Sequence, residues 1–252
     1  MKQKLFACLR REWNELSLLL RNIPSLIVAL FILSVVCMNL LANKELISTK
    51  YLALDCGYTL SWVSFLCMDM ICKRFGAKAA VQVSVLALLV NLCVFLLFHV
   101  VALTPGMWGE FYSYADSAPE MARIANDALN ATFSGTWYVV FGSALAMFVS
   151  SIVNAIVNRG IAMRMKSKNF KGFAVRSYPS TLIAQFVDNF IFALVVSHVF
   201  FGWNMLQVVI CSVTGSLVEL VCEIIWSPLG YRVCRSWELR GIGEEYLRSK
   251  GK

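Results

Sequence analysis

Residues 79–103 read AAVQVSVLALLVNLCVFLLFHVVAL, a run of 25 residues without a single Lys, Arg, Asp or Glu. Because a helix needs roughly 20 apolar residues to cross a bilayer, this stretch predicts a transmembrane helix. Five further apolar stretches are long enough to do the same, and they centre on residues 24–42, 52–72, 133–157, 179–201 and 205–229. We therefore predict an all-α membrane protein with six transmembrane helices, called spans 1 to 6 in chain order.

The composition favours a membrane protein and argues against a soluble enzyme. The 252 residues are 59% hydrophobic and 15% charged, whereas soluble domains contain about 45–50% and about 25%. Six spans leave no room for a fused ATPase domain. Because the sequence lacks a GxxxxGK[ST] loop, a GxSxG elbow and an HExxH helix, we predict that it is not an enzyme. Nine cysteines without a CxxC pair, and two isolated histidines, predict no metal site and no cofactor.

The basic residues are distributed unevenly along the chain. Of the 23 Lys and Arg, 20 lie before span 1, after spans 2 and 4, or after span 6, and three lie in the other connections. The positive-inside rule then predicts that both termini are cytoplasmic. Membrane topology therefore explains the formal net charge of +8, and we predict no nucleic-acid partner.

Three parts are expected: a cytoplasmic amphipathic segment (1–22), a six-helix transmembrane domain (23–230) and a basic cytoplasmic tail (231–252). The external loop 104–132 is acidic, and Ser117-Ala-Pro-Glu120 has the form of a capping box, which predicts that a helix follows. This segment is either a lid or surface helix packed on the outer face, or a flexible tether. Aromatic residues in the loop predict an interfacial belt, namely Trp108, Phe111, Tyr112 and Tyr114.

Two short patterns recur in the two halves of the chain. The corresponding pairs are Asn39 and Asn43 in span 1, Asn154 and Asn158 in span 4, Ser61 and Asp69 in span 2, and Ser180 and Asp188 in span 5. Because each half holds three helices, an odd number, the halves must have opposite orientations. We therefore predict a 3+3 inverted repeat, an arrangement that transporters use for alternating access around a midplane site.

Four acidic residues fall inside spans that contain no Lys or Arg, namely Asp69, Asp188, Glu219 and Glu223. A charged carboxylate at the bilayer centre costs about 2.5–3.5 kcal/mol on insertion scales. These groups are therefore either neutral acids that hydrogen-bond to neighbouring helices, or members of a hydrated or ligand-binding site.

Two helical stripes accompany the acidic residues. Span 6 carries a polar stripe that predicts a face in a protein interior or along an aqueous path, with members Ser212, Ser216, Glu219, Glu223 and Ser227. Span 4 carries Gly142, Ala146, Ser150 and Asn154 at every fourth position. Its small residues indicate helix packing, and Asn154 indicates a site.

Several of these stretches resemble the queuosine precursor transporter family, which is also called the vitamin uptake transporter family. Span 2 ends with DMICKRFGA, residues 69–77, and span 5 contains STLIAQFVDNF, residues 180–190. Further similarities to that family are Asn39, Asn43, Asn154, Pro228 and Tyr231. The resemblance covers about residues 20–230. One difference is Val218, close to a position in span 6 where the family often has a Lys.

The resemblance implies a six-helix protein of the bacterial inner membrane that imports 7-deazaguanine bases: 7-cyano-7-deazaguanine, 7-aminomethyl-7-deazaguanine or queuine. It also implies that Asp69, Gln185 and Asp188 belong to the substrate site. The full set of predicted substrate-binding residues is Asn39, Asn43, Asp69, Asn154, Ser180, Gln185, Asp188, Glu219 and Glu223. A guanine-type edge can donate two hydrogen bonds to a carboxylate, and an amide can donate to its carbonyl.

Two other functions stay open at this point. The chain could be the substrate-binding membrane subunit of a vitamin importer driven by a separate ATPase. It could also be a membrane enzyme or assembly factor that does not transport. The expected partners are the small-molecule deazaguanine, the lipid bilayer and, as a homodimer, a second copy of the chain.

Overall fold

The computed structural model describes residues 2–109, 116–135, 137–162 and 170–251. Within these ranges a two-stranded antiparallel hairpin, β1 (Glu45–Ser48) and β2 (Ala53–Asp55), accompanies the helices. The helices are α1 (Lys2–Asn22), α2 (Ser25–Leu41), α3 (Tyr58–Phe75), α4 (Ala77–Ala102), α5 (Pro119–Ser134), α6 (Trp137–Ala162), α7 (Phe170–Phe192), α8 (Met205–Leu239) and α9 (Glu244–Ser249).

A helix occupies each of the six predicted spans, as α2, α3, α4, α6, α7 and α8. In the described part of the chain, four helical stretches are long and apolar enough to cross a membrane: Ala77–Ala102, Pro119–Asn154, Tyr178–Phe200 and Met205–Leu239. A fifth is added if the bent pair Arg10–Asn22 and Ser25–Leu41 forms one span. The predicted class, an all-α membrane protein, is thereby confirmed. α3 is less apolar because it contains Asp69, Lys73 and Arg74.

The second span starts later than the sequence predicts. Residues Ala53–Asp55 form β2, and α3 begins only at Tyr58. The carboxylate of Asp55 accepts a hydrogen bond from the backbone N–H of Gly57, at 2.7 Å. This bond satisfies the backbone donor of Gly57, the residue that directly precedes α3.

The last long helix continues past Pro228, where the sequence predicts that span 6 closes. α8 ends only at Leu239. Its Cys234 and Trp237 are buried in the largest apolar core of the described residues. Their burial offsets the backbone hydrogen bond that Pro228 cannot donate.

This core joins the first four helices to the end of the chain. The ring of Phe75, at the end of α3, lies 6.4 Å from the ring of Trp237 and 6.1 Å from that of Tyr246 in α9. Gly243 packs against Phe75 with φ +84°, a conformation that favours glycine. The C-terminal part of α8, together with α9, therefore packs on the first half of the protein.

The two described chain ends lie on the same side of the molecule. α1 turns by 112° from α2 at the break between them. On α1, Glu12 and Glu15 accept hydrogen bonds from Lys78 at 2.9 and 2.8 Å, and Glu15 also pairs with Lys250 after α9. We call this the terminal side, and the opposite end, which holds β1 and β2, the hairpin side.

The hairpin is attached to the connection between α7 and α8. α7 continues through a π-helical turn, Ala193–Ser197, into a short helical end, His198–Phe200. Buried Trp203 then donates from Nε1 to Glu45 at 2.6 Å, and Gln207 donates from Nε2 to the carbonyl of Thr49 at 2.8 Å. These bonds link the two halves of the chain on the hairpin side.

The helix predicted for the external loop is confirmed as α5, but its predicted capping box is wrong. The N-cap is Ala118, without a side-chain hydrogen bond, and Pro119 at the first position needs no donor partner. α5 contacts α4 through Phe133, whose ring stacks on Phe98 with centroids 4.9 Å apart. For residues 119–134 the alternative of a flexible tether is therefore wrong. Phe111, Tyr112 and Tyr114 of the predicted aromatic belt lie outside the described residues.

Candidate functional site

A cavity lies between the two halves of the described structure. Its non-atom space is about 860 Å³ when the open mouth is included, and the centre of a water-sized sphere can occupy about 80 Å³ of it. Its walls come from α2, α3, α6, α7 and α8, and its hairpin side is lined by Asp55 and Gly57. Its polar side chains are Asn39, Asp55, Tyr58, Ser61, Ser64, Ser143, Ser150, Ser151, Asn154, Asp188, Asn189 and Glu219.

The cavity is acidic. Asp55, Asp188 and Glu219 contribute carboxyl groups, and no Lys or Arg is found among the described lining residues. The apolar part of the wall contains aromatic rings, including those of Phe31, Phe65 and Phe192. The site therefore combines hydrogen-bond acceptors with rings that can cover a flat ligand.

Glu219 is held by donors on one oxygen only. It is 1% exposed, and its Oε2 accepts a hydrogen bond from Asn189 Nδ2 at 3.1 Å. The side chain of Ser61 lies close to this carboxyl, but its hydroxyl donates to the backbone carbonyl of Tyr58 at 3.2 Å. Within the described part of the chain, Oε1 is buried and has no hydrogen-bond partner.

Asp188 belongs to the neighbouring wall. Its Oδ1 accepts a hydrogen bond from the hydroxyl of Ser150 on α6, at 2.6 Å. α6 comes close to the π-helical turn that follows α7 because of Gly142, where a Cβ atom would lie 2.2 Å from Val196 Cγ2. The packing half of the span 4 prediction is thereby confirmed for Gly142.

Two asparagines, Asn39 and Asn154, line the cavity from α2 and α6 with unused polar atoms. Asn39 is 2% exposed, and its Nδ2 has no partner among the described residues. The same holds for Oδ1 of Asn154. A buried polar atom without a partner costs free energy, so each of these atoms is available to a ligand.

Tyr58 closes the hairpin side of the cavity. Its ring packs on Gly215 of α8, where a Cβ atom would lie 2.2 Å from Cε1 of the ring. Its hydroxyl lies 3.3 Å from Cys211 Sγ. Glycine at position 215 therefore makes room for the tyrosine.

Four of the nine predicted site residues line this cavity: Asn39, Asn154, Asp188 and Glu219. Asn43 lies outside the lining, and its Nδ2 donates to the backbone carbonyl of Leu40 at 3.1 Å. Ser180 and Gln185 also lie outside it and are buried at 1% and 0% exposure. Both amide atoms of Gln185 lack a hydrogen-bond partner within the described residues.

Asp69 and Glu223 lie together in a second, smaller pocket between α3 and α8. The Asp69 carboxyl hydrogen-bonds to that of Glu223. At the wall of this pocket, Ser227 contacts the hydroxyl of Tyr178 at 2.7 Å. All five members of the span 6 stripe are buried, so this face lies in the protein interior.

Sequence reasoning does not select Asp55, Tyr58 or Asn189 for the site. The Asp55-x-Gly57 order is a signal for a turn in which the Asp side chain bonds to the backbone two residues further on. For Asn189 the sequence offers no comparable signal, because its partner Glu219 is 30 residues away.

The chain was compared with known proteins. No curated protein and no solved structure matches it. A family described as "Putative vitamin uptake transporter" matches residues 55–233. This range contains α3, α4, α6, α7 and most of α8, with all the cavity residues except those of α2 and Ala42. The match covers well over half of the chain, and the protein therefore belongs to the vitamin uptake transporter family.

Proposed function

We propose that this protein is a secondary transporter that imports 7-deazaguanine precursors of queuosine, and that the cavity between its halves is the substrate site. The observation that carries the proposal is that Asp188 lines the same cavity as Asn39 and Asn154, each of which has an amide atom without a partner among the described residues. Such groups can orient a small, flat, polar molecule.

The chemistry of the wall suits a purine-like base. The N1–H and the exocyclic amine of a guanine-type edge can both donate to the carboxylate of Asp188. The Nδ2 of Asn39 can donate to the carbonyl of the base. Phe65 and Phe192 supply rings that can cover its faces. Gln185, predicted for the amide role, lies outside the lining, so we assign that role to Asn39 and Asn154.

Six membrane spans in a 3+3 inverted repeat are part of this proposal. Each predicted span contains a helix, and both described chain ends lie on the terminal side, which requires an even number of crossings. Asn39 and Asn154, the corresponding residues of the repeat, line the same cavity. With most basic connections on the terminal side, both termini would be cytoplasmic and the membrane would be the bacterial inner membrane.

Uptake of labelled precursors tests the function directly. Cells that lack both their own precursor transporter and precursor synthesis should accumulate labelled base when they express this protein. Absence of uptake by protein that is correctly inserted would contradict the proposal.

Purified protein in liposomes separates the proposal from its rivals. A self-sufficient carrier should exchange labelled base across the membrane without other proteins. Exchange that requires an added ATPase would indicate an importer subunit, and conversion of the base to a product would indicate an enzyme.

A further inference from the structure

The acidic character of the cavity bears on the charge of the ligand, which the proposed function leaves open. Three carboxyl groups, those of Asp55, Asp188 and Glu219, share one cavity without a basic residue among its described lining residues. Asp188 and Asp55 are close enough to Glu219 to interact with it electrostatically. Ionised carboxylates in such surroundings need a compensating positive charge.

The three carboxyl groups differ in the protein groups that already stabilise their negative charge. Asp55 accepts hydrogen bonds from the backbone N–H groups of Gly57 and Tyr58. It therefore lies at the start of α3, where the helix dipole favours a negative charge. Asp188 is bonded to Ser150 and is assigned to the edge of the base. These two groups therefore have local roles.

Glu219 is different because no basic residue of the described lining compensates it and half of its carboxyl group is unused. Asn189 donates to its Oε2 over 3.1 Å, whereas the hydroxyl of the nearby Ser61 donates to the backbone carbonyl of Tyr58. Its Oε1 is buried without a partner in the part of the chain that the structure describes. A positively charged donor within the ligand would satisfy this oxygen and compensate the charge.

We propose that the cavity selects a cationic ligand, a flat heterocycle that carries a protonated amine, and that Glu219 is the counter-ion of that amine. This inference rests on the proposed function and specifies its substrate class. Among deazaguanines it favours bases with an aminomethyl or secondary amine substituent over the neutral nitrile form.

Competition binding to purified protein tests the inference. Three probes with the same base are compared: 7-aminomethyl-7-deazaguanine, its neutral N-acetyl derivative and 7-cyano-7-deazaguanine. We expect the amine to bind at least about tenfold more tightly than either neutral probe, which is the range of a hydrogen bond to a charged group. Equal affinities for all three probes in the wild type would overturn the inference.

Variants test which acidic residue is responsible for the preference for the amine. Glu219→Gln should reduce the preference for the amine to within about threefold. Asp188→Asn should weaken all probes by a similar factor, so their ratio should stay as in the wild type. The matched control is Glu238→Gln, an exposed acid on the same helix, for which the preference should be unchanged. A preference that survives in Glu219→Gln and disappears in Glu223→Gln would overturn the assignment to Glu219.

The same data separate this inference from the function on which it rests. If none of the three probes binds to folded wild-type protein, the proposed function fails. If the neutral probes bind as well as the amine, the function stands and the inference fails. If Glu219→Gln does not fold, the comparison of the three probes in the wild type still decides whether the cavity prefers a cationic ligand.

Discussion

Asn189 of α7 donates a hydrogen bond to Glu219 of α8 over 3.1 Å, and both side chains are buried. The preceding residue, Asp188, accepts a bond from Ser150 on the other neighbouring helix, α6. Successive residues of a helix differ by about 100° in direction, so two adjacent residues connect α7 to both of its neighbours. The acidic groups of the cavity are therefore positioned from a single helix.

Loss of this bond should destabilise the protein. Asn189→Leu removes the donor and leaves a buried carboxyl oxygen with one partner fewer, so we expect the free energy of unfolding to fall by about 1–3 kcal/mol. Denaturant unfolding in detergent measures it. In Asn189→Leu with Glu219→Met both polar groups are removed, and most of the loss should be recovered. A double variant no more stable than the single one would contradict this explanation.

Asp188 should matter more for binding than the amide of Gln185, which precedes it on the same helix. Asp188→Asn keeps the size of the side chain but removes its charge and one acceptor, so we expect binding of the deazaguanine to weaken by at least about 1.5–3 kcal/mol. Ser150→Ala, which removes the donor to Asp188, should cost about 0.5–1.5 kcal/mol. Gln185→Ala should weaken binding less than Asp188→Asn, because Gln185 lies outside the cavity lining. Isothermal titration with properly folded variants measures all three, and wild-type affinity in Asp188→Asn would exclude the assigned role.

Two glycines of α6 offer a matched pair for testing the close packing of α6 on the π-helical turn that follows α7. At Gly142 a Cβ atom would lie 2.2 Å from Val196 Cγ2, whereas at Gly160 nothing described lies within 4 Å. We expect Gly142→Ala to lower the free energy of unfolding by about 1–3 kcal/mol through overpacking. Gly160→Ala should be neutral or raise it by up to about 1 kcal/mol.

The control for this packing effect is a compensating change. Val196→Ala in the Gly142→Ala background removes the methyl group that the new Cβ would meet, and should recover part of the lost stability. Equal stabilities of Gly142→Ala and Gly160→Ala in thermal unfolding would contradict a tight contact between Gly142 and Val196.

The sequence predicts the helices well because hydrophobic length is a local property. A run such as 79–103 identifies α4 without any knowledge of its neighbours. Helix ends are less predictable where tertiary contacts decide them. Continuation of α8 past Pro228 depends on burial of Trp237 beside Phe75, and these two residues are far apart in the chain.

The site is only partly predictable for the same reason. Intramembrane polarity identifies Asp188 and Glu219, but the same signal also selects Asp69 and Glu223, which lie in a separate pocket. Helical periodicity places all four on buried faces without specifying which cavity each face meets. The contribution of Asp55 depends on the hairpin, whose fold no apolar pattern indicates.

Acid should loosen the contact between the chain ends. Burial raises the pKa of Glu15, but hydrogen bonds from Lys250 and Lys78 outweigh it and lower the pKa below the usual 4.5. A carboxyl with a lowered pKa stabilises the contact above about pH 4.5, and this contribution is lost as the pH falls through the lowered value. The distance between spin labels on α1 and α9 should therefore increase only in that acidic range. Glu15→Gln should show the longer distance already at neutral pH, and an unchanged distance would contradict the role of Glu15.

Topology can be tested by reporter fusions. The distribution of basic residues predicts that fusions after Lys50 and within residues 104–132 report an external location. Fusions after residue 164 and at Lys250 should report the cytoplasm. A cytoplasmic signal from the 104–132 loop would overturn both the proposed orientation and the inverted repeat.

Pro228 lies in α8 between the turn with Glu219 and the turns that carry Cys234 and Trp237. The part before it is bonded to α7, and the part after it is embedded in the core of the first half. Proline omits one backbone hydrogen bond in an otherwise continuous helix. Before Pro228, α8 contacts α7 through Asn189 and α3 through Tyr58. The missing bond makes Pro228 the place in α8 where bending costs least. Motion that opens or closes the cavity would then bend one helix rather than separate two rigid halves.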